Sequence, residues 1–435
     1  MLVSQRIVDE LAARIAGQPP GLRAASIDVG DLDPLDLVRA GAPAFGFAAF
    51  FSSAEGRSVG GLGAAVRVAS SGGERFRTLD TGLERLVPPD TTALLGFSFA
   101  EDGPSSPAWE GFPAGVVVLP EITVTRTEGR SRLTVALPAG SDGHLLLAML
   151  STLRPPGPQV SGREVDHTVE SRPSPQDWVG LVAEAVAGIR QGPLEKVVLA
   201  RSVSVKSGGS FEPFDLVATL RDRYPESRVF GWQEGVSTFI GASPELLIAR
   251  RGPRFTLAPL AGSAPRGTDP EEDRRLGDGL LASPKDRREH EIVVEDALRR
   301  LAGHAATVER SAIPQLHRFA TVQHLATPIS GTTQSRILDL AEALHPTPAV
   351  GGAPRSEALA FIEKVEGIDR GWYAGGIGWV SPGGDGEIAL ALRSALVRGD
   401  QATVYAGNGI VAESEPAAEL EETRLKLRPM LELLT

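Results

Sequence analysis

The chain has 435 residues, which is enough for two domains or for one large domain built from two lobes. Its 44 basic and 55 acidic residues give a net charge of −11, which argues against a nucleic-acid partner. It contains no cysteine, which excludes disulfides, thiolate metal sites and cysteine nucleophiles, so any metal site must use carboxylates or histidine.

The first 15 residues predict a surface helix. They mix apolar residues with Asp9 and Glu10, and they lack the basic start and unbroken apolar core of a signal peptide. No apolar run approaches the roughly 18 to 20 residues needed to cross a bilayer. We therefore expect a soluble, cytoplasmic protein with no membrane partner.

Residues 1–153 are predicted to form a sheet-rich lobe. Glycine, proline and serine turns separate its β-like runs, which cover residues 44–51, 93–100, 115–125 and 132–137. Residues 154–175 turn to proline, glycine, serine and charge, which predicts a connector. Residues 176–435 make up the second predicted region.

The second region predicts long helices and β-like runs in blocks. The helical segments are residues 176–189, 274–301 and 416–434, and the β-like segments are residues 196–205, 239–250 (interrupted at "SPE"), 375–380, 387–397 and 402–405. This order is not a regular alternation of strand and helix. It favours an α+β fold over a doubly wound parallel sheet.

The final predicted helix has a charged face. At about 100° per residue, Glu419, Glu422 and Lys426 fall within about 60° of one another. The opposite face carries Leu420, Leu427, Leu431 and Leu434. From spacing alone, an amphipathic helix with a solvated charged face is the commoner explanation.

A second acidic pair lies on the helix that begins at "SPKDRREHE". Ser283 is a natural N-cap, Pro284 suits the first helical position, and Asp286 occupies the capping-box position, so Asp286 could be only a cap. Asp286 and Glu289 are also three residues apart and share a face. Two such acidic pairs on facing helices, completed by an acidic substrate, would suit Mg²⁺, which prefers oxygen ligands and keeps waters.

The segment "GNGIVA" at residues 407–412 resembles a dinucleotide-binding turn. Only 23 residues follow it, which leaves no room for the rest of a dinucleotide-binding unit. A glycine turn that offers backbone N–H groups to a carboxylate fits this position better.

Three single residues are candidates for chemistry. Lys196 lies among apolar residues in "EKVVLAR", where its charged form is disfavoured and the amine can serve as a base, unless its head group reaches solvent. Glu245, placed by a turn in "GASPELL", could stay protonated and act as an acid. His324 in "VQHLATP" could be a ligand, a substrate contact or a buried histidine satisfied by its neighbours.

Together these segments resemble the chorismate-binding enzymes, a family of isochorismate synthases, salicylate synthases and the chorismate-binding subunits of anthranilate and aminodeoxychorismate synthases. The match covers about residues 178–431 and follows the family's order of motifs. The motifs are "EKVVLARS", "GASPELL", "PLAGSAPRG", "KDRREHE", "VQHLATPISG", "LHPTPAVGG", "IEKVEGIDRGWYAGGIGW", "ALRSALV" and "YAGNGIVAESEPAAELEETRLKL". The resemblance implies a large α+β fold with layered antiparallel sheets flanked by helices, two intimately associated lobes, and a pocket between its halves.

The resemblance also implies roles for individual residues. Lys196 matches the lysine that activates water, and Glu245 matches the acid that protonates a departing hydroxyl. The magnesium site maps onto Asp286, Glu289, Glu419 and Glu422, with Glu289 and Glu422 as the direct ligands. Substrate contacts map onto Gly262, Ser263, His324, Ala349, Tyr373, Arg393, Gly407, Gly409 and Lys426.

Three positions discriminate within the family. Family members that use ammonia lack the lysine found at Lys196, so water is the expected nucleophile and no glutamine amidotransferase subunit is expected. Aminodeoxychorismate synthases carry a nucleophilic lysine where this chain has Ala261. Enzymes that eliminate pyruvate typically have threonine where this chain has Ala349.

These positions favour an isochorismate synthase. The expected reaction is the Mg²⁺-dependent isomerisation of chorismate to isochorismate, by water addition at C2 and loss of the C4 hydroxyl. A salicylate synthase, which goes on to expel pyruvate, is the alternative, and a pocket that binds without catalysis is a further one. The product could feed menaquinone or siderophore synthesis, and a monomer or a homodimer is expected.

Overall fold

The computed structural model of the chain describes residues 1–157 and 166–435. Up to residue 157 the strands are β1 (Arg23–Asp28), β2 (Phe47–Ser52), β3 (Ser58–Leu62), β4 (Val66–Ser70), β5 (Ala93–Phe97), β6 (Gly115–Leu119), β7 (Ile122–Thr127) and β8 (Arg130–Leu137). The helices of this part are α1 (Gln5–Ala16), α2 (Pro34–Gly41), α3 (Arg75–Leu86) and α4 (His144–Thr152), with short 3-10 turns at Ala42–Ala44 and Pro107–Trp109.

From residue 166 onward the elements are more numerous. The strands are β9 (His167–Arg172), β10 (Lys196–Ser207), β11 (Arg228–Glu234), β12 (Ser237–Ser243), β13 (Leu246–Arg251), β14 (Arg254–Leu257), β15 (Leu260–Pro265), β16 (Ala305–Arg310), β17 (Gln315–Arg318), β18 (Val322–Ala326), β19 (Ile329–Thr333), β20 (Gly352–Ala353), β21 (Gly376–Val380), β22 (Gly386–Leu390), β23 (Ser394–Arg398) and β24 (Gln401–Ile410). The helices are α5 (Pro175–Gln191), α6 (Pro213–Arg223), α7 (Pro270–Ala282), α8 (Pro284–Leu301), α9 (Ile337–Leu344), α10 (Arg355–Val365) and α11 (Pro416–Leu434).

Two large antiparallel sheets organise the described residues. The larger sheet has the strand order β1-β8-β7-β3-β2-β11-β12-β23-β24-β10-β20, with β9 also paired to β10. The second has the order β16-β19-β14-β13-β22-β21-β5-β6-β4, and a small sheet has the order β15-β18-β17. The prediction of an α+β fold with layered antiparallel sheets is therefore confirmed.

Both large sheets combine strands from the two predicted lobes. In the larger sheet β2 pairs with β11, so that Ala49 faces Trp232. In the second sheet β5 pairs with β21, so that Leu95 faces Gly378. The halves of the chain thus share continuous hydrogen-bonded ladders, as expected for two intimately associated lobes.

Alternate residues of the larger sheet enter two different apolar cores. On β2, Ala49 and Phe51 pack in a core with residues of the second sheet, whereas Ala48 and Phe50 pack in a core with residues of α1, α2, α6 and α11. A strand buried on both faces reads as a continuous apolar run, as "FAAFF" does. Because side chains alternate along a strand, one such run can serve both cores.

Several predicted elements have close counterparts in the structure. The helix predicted at residues 416–434 matches α11, and the strand interrupted at "SPE" is the pair β12 and β13. The segment 274–301 divides into α7 and α8 at Ser283, whose hydroxyl caps α8 by accepting from the backbone N–H of Asp286 at 3.3 Å.

One expectation was wrong, and one alternative is excluded. The "GNGIVA" segment does not begin as a turn, because β24 continues through Gly407 and Gly409, which face Ala200 and Val198 of β10. The charged face of α11 is not solvated, since the side chain of Glu419 is only 1% exposed. In both cases the outcome depends on which strand or helix packs against the segment, and the local sequence pattern does not contain that information.

The predicted connector, residues 154–175, is only partly described. Residues 158–165 lie outside the described part of the chain. The end of the connector forms β9, in which Arg172 faces Ser202 of β10. Across the described ranges, the structure contains no helix long and apolar enough to traverse a membrane.

Candidate active site

A cleft with about 610 Å³ of free space, solvent at its mouth included, collects most of the predicted site residues. Those that line it are Glu245, Gly262, Ser263, Glu289, His324, Ala349, Tyr373, Arg393, Gly407, Gly409, Glu422 and Lys426. Three predicted residues do not line the cleft and lie behind its lining: Lys196, Asp286 and Glu419. The sequence did not single out Val198, Pro244, Val350 and Leu392, whose apolar side chains also line the cleft.

Glu245 is held in the turn between β12 and β13. Its backbone N–H bonds the Ser243 hydroxyl at 3.3 Å, and its carbonyl accepts from the backbone N–H of Leu390 at 3.1 Å. Burial raises the pKa of the Glu245 carboxyl to about 8, although a hydrogen bond from the backbone of Leu260 and nearby cations pull it down. The carboxyl is therefore mostly protonated at neutral pH and can donate a proton.

Lys196 begins β10 and is fully buried. Its Nζ atom lies 3.0 Å from Oε1 of Glu289 on α8, as an ion pair without hydrogen-bond geometry. The alternative in which its head group reaches solvent is excluded by this burial. Lys196 and Glu289 thus join the first strand of the second predicted region to the acidic face of α8.

Gly409 makes room for this ion pair. A Cβ atom at position 409 would lie 2.2 Å from Oε1 of Glu289 and 2.6 Å from Cε of Lys196, which is closer than atoms can approach. Gly409 also lines the cleft. Glycine is therefore required here by close packing of charged side chains rather than by a turn.

We call Asp286, Glu289, Glu419 and Glu422 the acidic cluster. Glu289 and Glu422 line the cleft, whereas Glu419 lies deeper and its two oxygens are already bonded, by Lys285 Nζ at 2.8 Å and by Asn408 Nδ2 at 3.1 Å. Burial, followed by the neighbouring charge of Glu422, raises the pKa of Glu419.

Lysines balance part of the charge of the acidic cluster. Burial by itself would lower the pKa of Lys285, but the carboxylate of Glu419, then Glu289 and Glu422, raise it above its usual value. Burial would raise the pKa of Glu422, but Lys426, whose Nζ lies 2.7 Å from its carboxylate, brings it below the usual value. Lys285 is the first residue of the motif "KDRREHE". Its partner Glu419 lies 134 positions further along the chain.

The acidic cluster is not a complete metal site by itself. Within the described residues no group of three or more Asp, Glu or His side chains is arranged so that it could hold a metal ion. Mg²⁺ usually takes one or two carboxylates and fills its remaining positions with water or substrate oxygens. Glu289 and Glu422, which face the cleft, offer that kind of donor set.

The cleft lining also carries cations. Arg393 lines it from a left-handed backbone position, with φ of +49°. Lys426 Nζ donates to the carbonyl of Gly407 at 3.0 Å and to Oδ1 of Asn408 at 2.9 Å. Tyr373 stacks on Tyr405 with ring centroids 5.3 Å apart. A guanidinium, an ammonium and a phenol in the lining of one cleft can bind a carboxylate.

His324 is a buried, neutral residue of the cleft wall. Its Nδ1 atom lies 2.9 Å from the Ser263 hydroxyl and 3.2 Å from the carbonyl of Gly262. Burial, followed by the charges of Arg393 and Lys426, lowers the pKa of His324 to about 3. A neutral ring with Nε2 unpaired among the described residues fits a substrate contact better than a satisfied core histidine.

Comparisons with known proteins find related sequences and structures. A family model described as "Chorismate binding enzyme" matches residues 10–435. The chain is 37% identical over 437 residues to the "Salicylate biosynthesis isochorismate synthase" of Pseudomonas aeruginosa, covering 96% of this chain and 90% of that relative. It is 37% identical over 346 residues to "Isochorismate synthase MenF" of Bacillus subtilis, covering 78% and 74%. The solved structure of MenF, the menaquinone-specific isochorismate synthase from Escherichia coli, superposes with a TM-score of 0.86 at 27% identity, covering 98% of this chain and 99% of that one.

Proposed function

The chain belongs to the chorismate-binding enzymes, and we propose that it is an isochorismate synthase. It would convert chorismate to isochorismate by adding water at C2 and releasing the C4 hydroxyl. The observation that carries this proposal is a buried acid of raised pKa, Glu245, in the lining of the cleft, with a buried amine, Lys196, behind that lining. General acid–base catalysis needs one group that donates a proton and another that accepts one.

The charged residues of the cleft match the charges of the substrate. Chorismate carries two carboxylates, one on the ring and one on the enolpyruvyl group. Arg393, Lys426 and Tyr373 line the cleft and suit one carboxylate directly. The acidic cluster would repel the other carboxylate unless a cation lay between them. Bound Mg²⁺, held by Glu289 and Glu422, would supply that positive charge.

The residues of this chain then divide the proton transfers. Lys196 acts as the base and takes a proton from the water whose oxygen bonds to C2. The ring double bonds shift, the C4–O bond breaks, and the departing hydroxyl takes the proton of Glu245 and leaves as water. The ammonium of Lys196 and the carboxylate of Glu245 return to their starting forms through solvent, so atoms and charge balance over the cycle.

Glu289 connects the acidic cluster to the base. Its carboxylate pairs with Lys196 at 3.0 Å. A cation ligated by Glu289 would share this carboxylate with the base.

Two alanines favour isochorismate as the final product. Ala261 lines the cleft where a nucleophilic lysine would be needed for a covalent intermediate, and Ala349 lines it where pyruvate-eliminating relatives typically have threonine. Water as nucleophile also makes a glutamine amidotransferase subunit unnecessary. Relatives named for menaquinone and for salicylate biosynthesis both use this reaction, so the product could serve either pathway.

A product analysis tests the proposal. Purified protein is incubated with chorismate and Mg²⁺, and the products are resolved by chromatography. We expect isochorismate, no stoichiometric salicylate and pyruvate, and loss of turnover with EDTA that excess Mg²⁺ restores. Salicylate with pyruvate would identify a salicylate synthase instead, and unchanged chorismate would identify a binding protein.

Two variants assign the roles of acid and base. Lys196→Ala and Glu245→Gln should each lower kcat by on the order of 10²-fold or more, which is the usual contribution of a general acid or base. Near-normal turnover by either variant would refute its assignment. Circular dichroism of both variants controls for folding.

A further inference from the structure

The turn that carries Tyr373 is held in an unusual backbone conformation. The next residue, Ala374, is buried and has φ of +62°, a left-handed region that residues with a Cβ atom rarely adopt. Its N–H donates to the carbonyl of Ala391 at 3.0 Å. Its carbonyl is also buried and needs a donor of its own.

His345, the residue at which α9 ends, supplies that donor. Its Nε2 atom lies 3.0 Å from the carbonyl oxygen of Ala374. Because a carbonyl can only accept, Nε2 carries the proton and Nδ1 is the bare ring nitrogen. Burial lowers the pKa of His345 to about 3, so the ring is neutral. Edge-on contacts to Phe97 at 5.0 Å and Phe99 at 6.2 Å fix its orientation.

The conformation of Ala374 sets the position of Tyr373. The Tyr373 ring lies against Tyr405 at an interplanar angle of 15°, and a Cβ at Gly407 would meet its hydroxyl at 3.0 Å. Since Tyr373 and Ala374 share a peptide bond, a change of backbone angles at Ala374 moves that hydroxyl relative to the cleft.

We propose that His345 is a positioning residue, which holds Ala374 in its left-handed conformation and so keeps the Tyr373 hydroxyl in place for a substrate carboxylate. His345 does not line the cleft and would act through Ala374. This inference rests on the proposed function, because a shift of the Tyr373 hydroxyl is detected as a change in the KM for chorismate.

Two substitutions separate the hydrogen bond from the packing. His345→Phe keeps an aromatic ring but removes the donor, whereas His345→Gln places an amide N–H near the position of Nε2. For His345→Phe we expect the KM for chorismate to rise on the order of tenfold, the equivalent of one ordinary hydrogen bond, with a smaller change in kcat. For His345→Gln we expect a KM near that of the parent. A purely structural defect would instead lower the amount of active enzyme and leave KM unchanged.

Glycine at position 374 provides an independent check. Glycine adopts positive φ without strain, so the Ala374→Gly substitution should hold the turn without His345. The rise in KM caused by His345→Phe should therefore shrink when Ala374→Gly is also present. If His345→Phe does not fold, His345→Asn replaces it, because its amide is one methylene too short to reach the carbonyl.

A readout without substrate separates this proposal from the proposed function. The chain has only three tyrosines, so ¹³C-labelled tyrosine gives a simple NMR spectrum in which Tyr373→Phe identifies the Tyr373 signal. We expect that signal to shift in His345→Phe and to return in His345→Gln. An unshifted Tyr373 signal, an equal effect of Phe and Gln, or no relief by Ala374→Gly would overturn the positioning role. Failure of the parent to turn over chorismate would count against the proposed function alone.

Discussion

At the scale of single residues, the site depends on ionisable groups that the fold takes out of water. Glu245 is 6% exposed, and burial raises the pKa of its carboxyl to about 8. The protonated form is needed both for catalysis and for stability. The contribution of Glu245 to folding is therefore fully present below the pKa of an ordinary glutamate and is lost as pH rises through about 8.

The rate of the reaction should follow this titration. Because Glu245 must be protonated to act as an acid, we expect kcat to fall as pH increases through about 8, by up to tenfold per pH unit. A stopped assay between pH 6 and 10 measures this. Over the same range, the melting temperature of the parent should fall relative to that of Glu245→Gln, which cannot ionise. A kcat that is constant up to pH 10 would contradict the role of Glu245 as the acid.

Gly409 provides a second residue-scale prediction. Because an added Cβ would overlap the Lys196–Glu289 pair, Gly409→Ala should displace both side chains and lower kcat/KM by on the order of 10²-fold, the cost of a misplacement of about 1 Å. Gly180→Ala in α5, where nothing lies within 4 Å of the added methyl, is the matched control and should keep full activity. Equal activity of the two variants would contradict the packing argument.

At the scale of elements, the sequence predicted what local patterns determine. The helix α11 and the cap of α8 at Ser283 follow from apolar spacing and from a hydroxyl that accepts an N–H. The strand character of Gly407 and Gly409 could not be predicted, since it depends on pairing with β10, some 200 residues earlier. The partnership of Lys285 with Glu419 was missed for the same reason. The assignments of Lys196 and Glu245 needed the family resemblance as well as their local context.

The contribution of the Lys285–Glu419 contact between α8 and α11 can be measured from the stability of the protein with and without Mg²⁺. Lys285→Met leaves Glu419 without a partner for one oxygen, which should lower the free energy of unfolding of the metal-free protein by about 1–3 kcal/mol. If the acidic cluster binds Mg²⁺, the added cation should then raise the melting temperature more in the variant than in the parent.

Arg288→Gln is the control for that experiment. Arg288 is a half-exposed cation of the same helix, paired with Glu195 and Glu291. Its loss should change stability by no more than about 0.5 kcal/mol and leave the response to Mg²⁺ unaltered. A Mg²⁺ response that is equal in Lys285→Met and the parent would show that Lys285 does not compete with the cation.

At the scale of the whole molecule, the two predicted lobes are joined by shared sheets. Sequence patterns could not predict which strands pair in them. Runs such as "FAAFF" indicate strands, but they carry no information about their neighbours. The pairs β2–β11 and β5–β21 place strands of the first half inside sheets of the second. The boundary between the lobes, near residues 154–175, stays a prediction.

These shared sheets predict that neither half folds alone. A fragment of residues 166–435 would expose the edges of β11 and β21 and lose the apolar residues that the first half adds to both cores, so we expect it to aggregate. A chain cleaved between residues 157 and 166 should instead elute from gel filtration as one species with one thermal transition. A monomeric, native-like fragment 166–435 would contradict this.

The pairing of β2 with β11 also has a consequence on the ribosome. Ala49 meets Trp232, so 183 residues separate the two partners along the chain. At about 5–20 residues per second, β2 waits on the order of 10 to 40 s after its own synthesis before its neighbour exists. During that interval β2 is an apolar strand with an unpaired edge, and such an edge can pair with another chain.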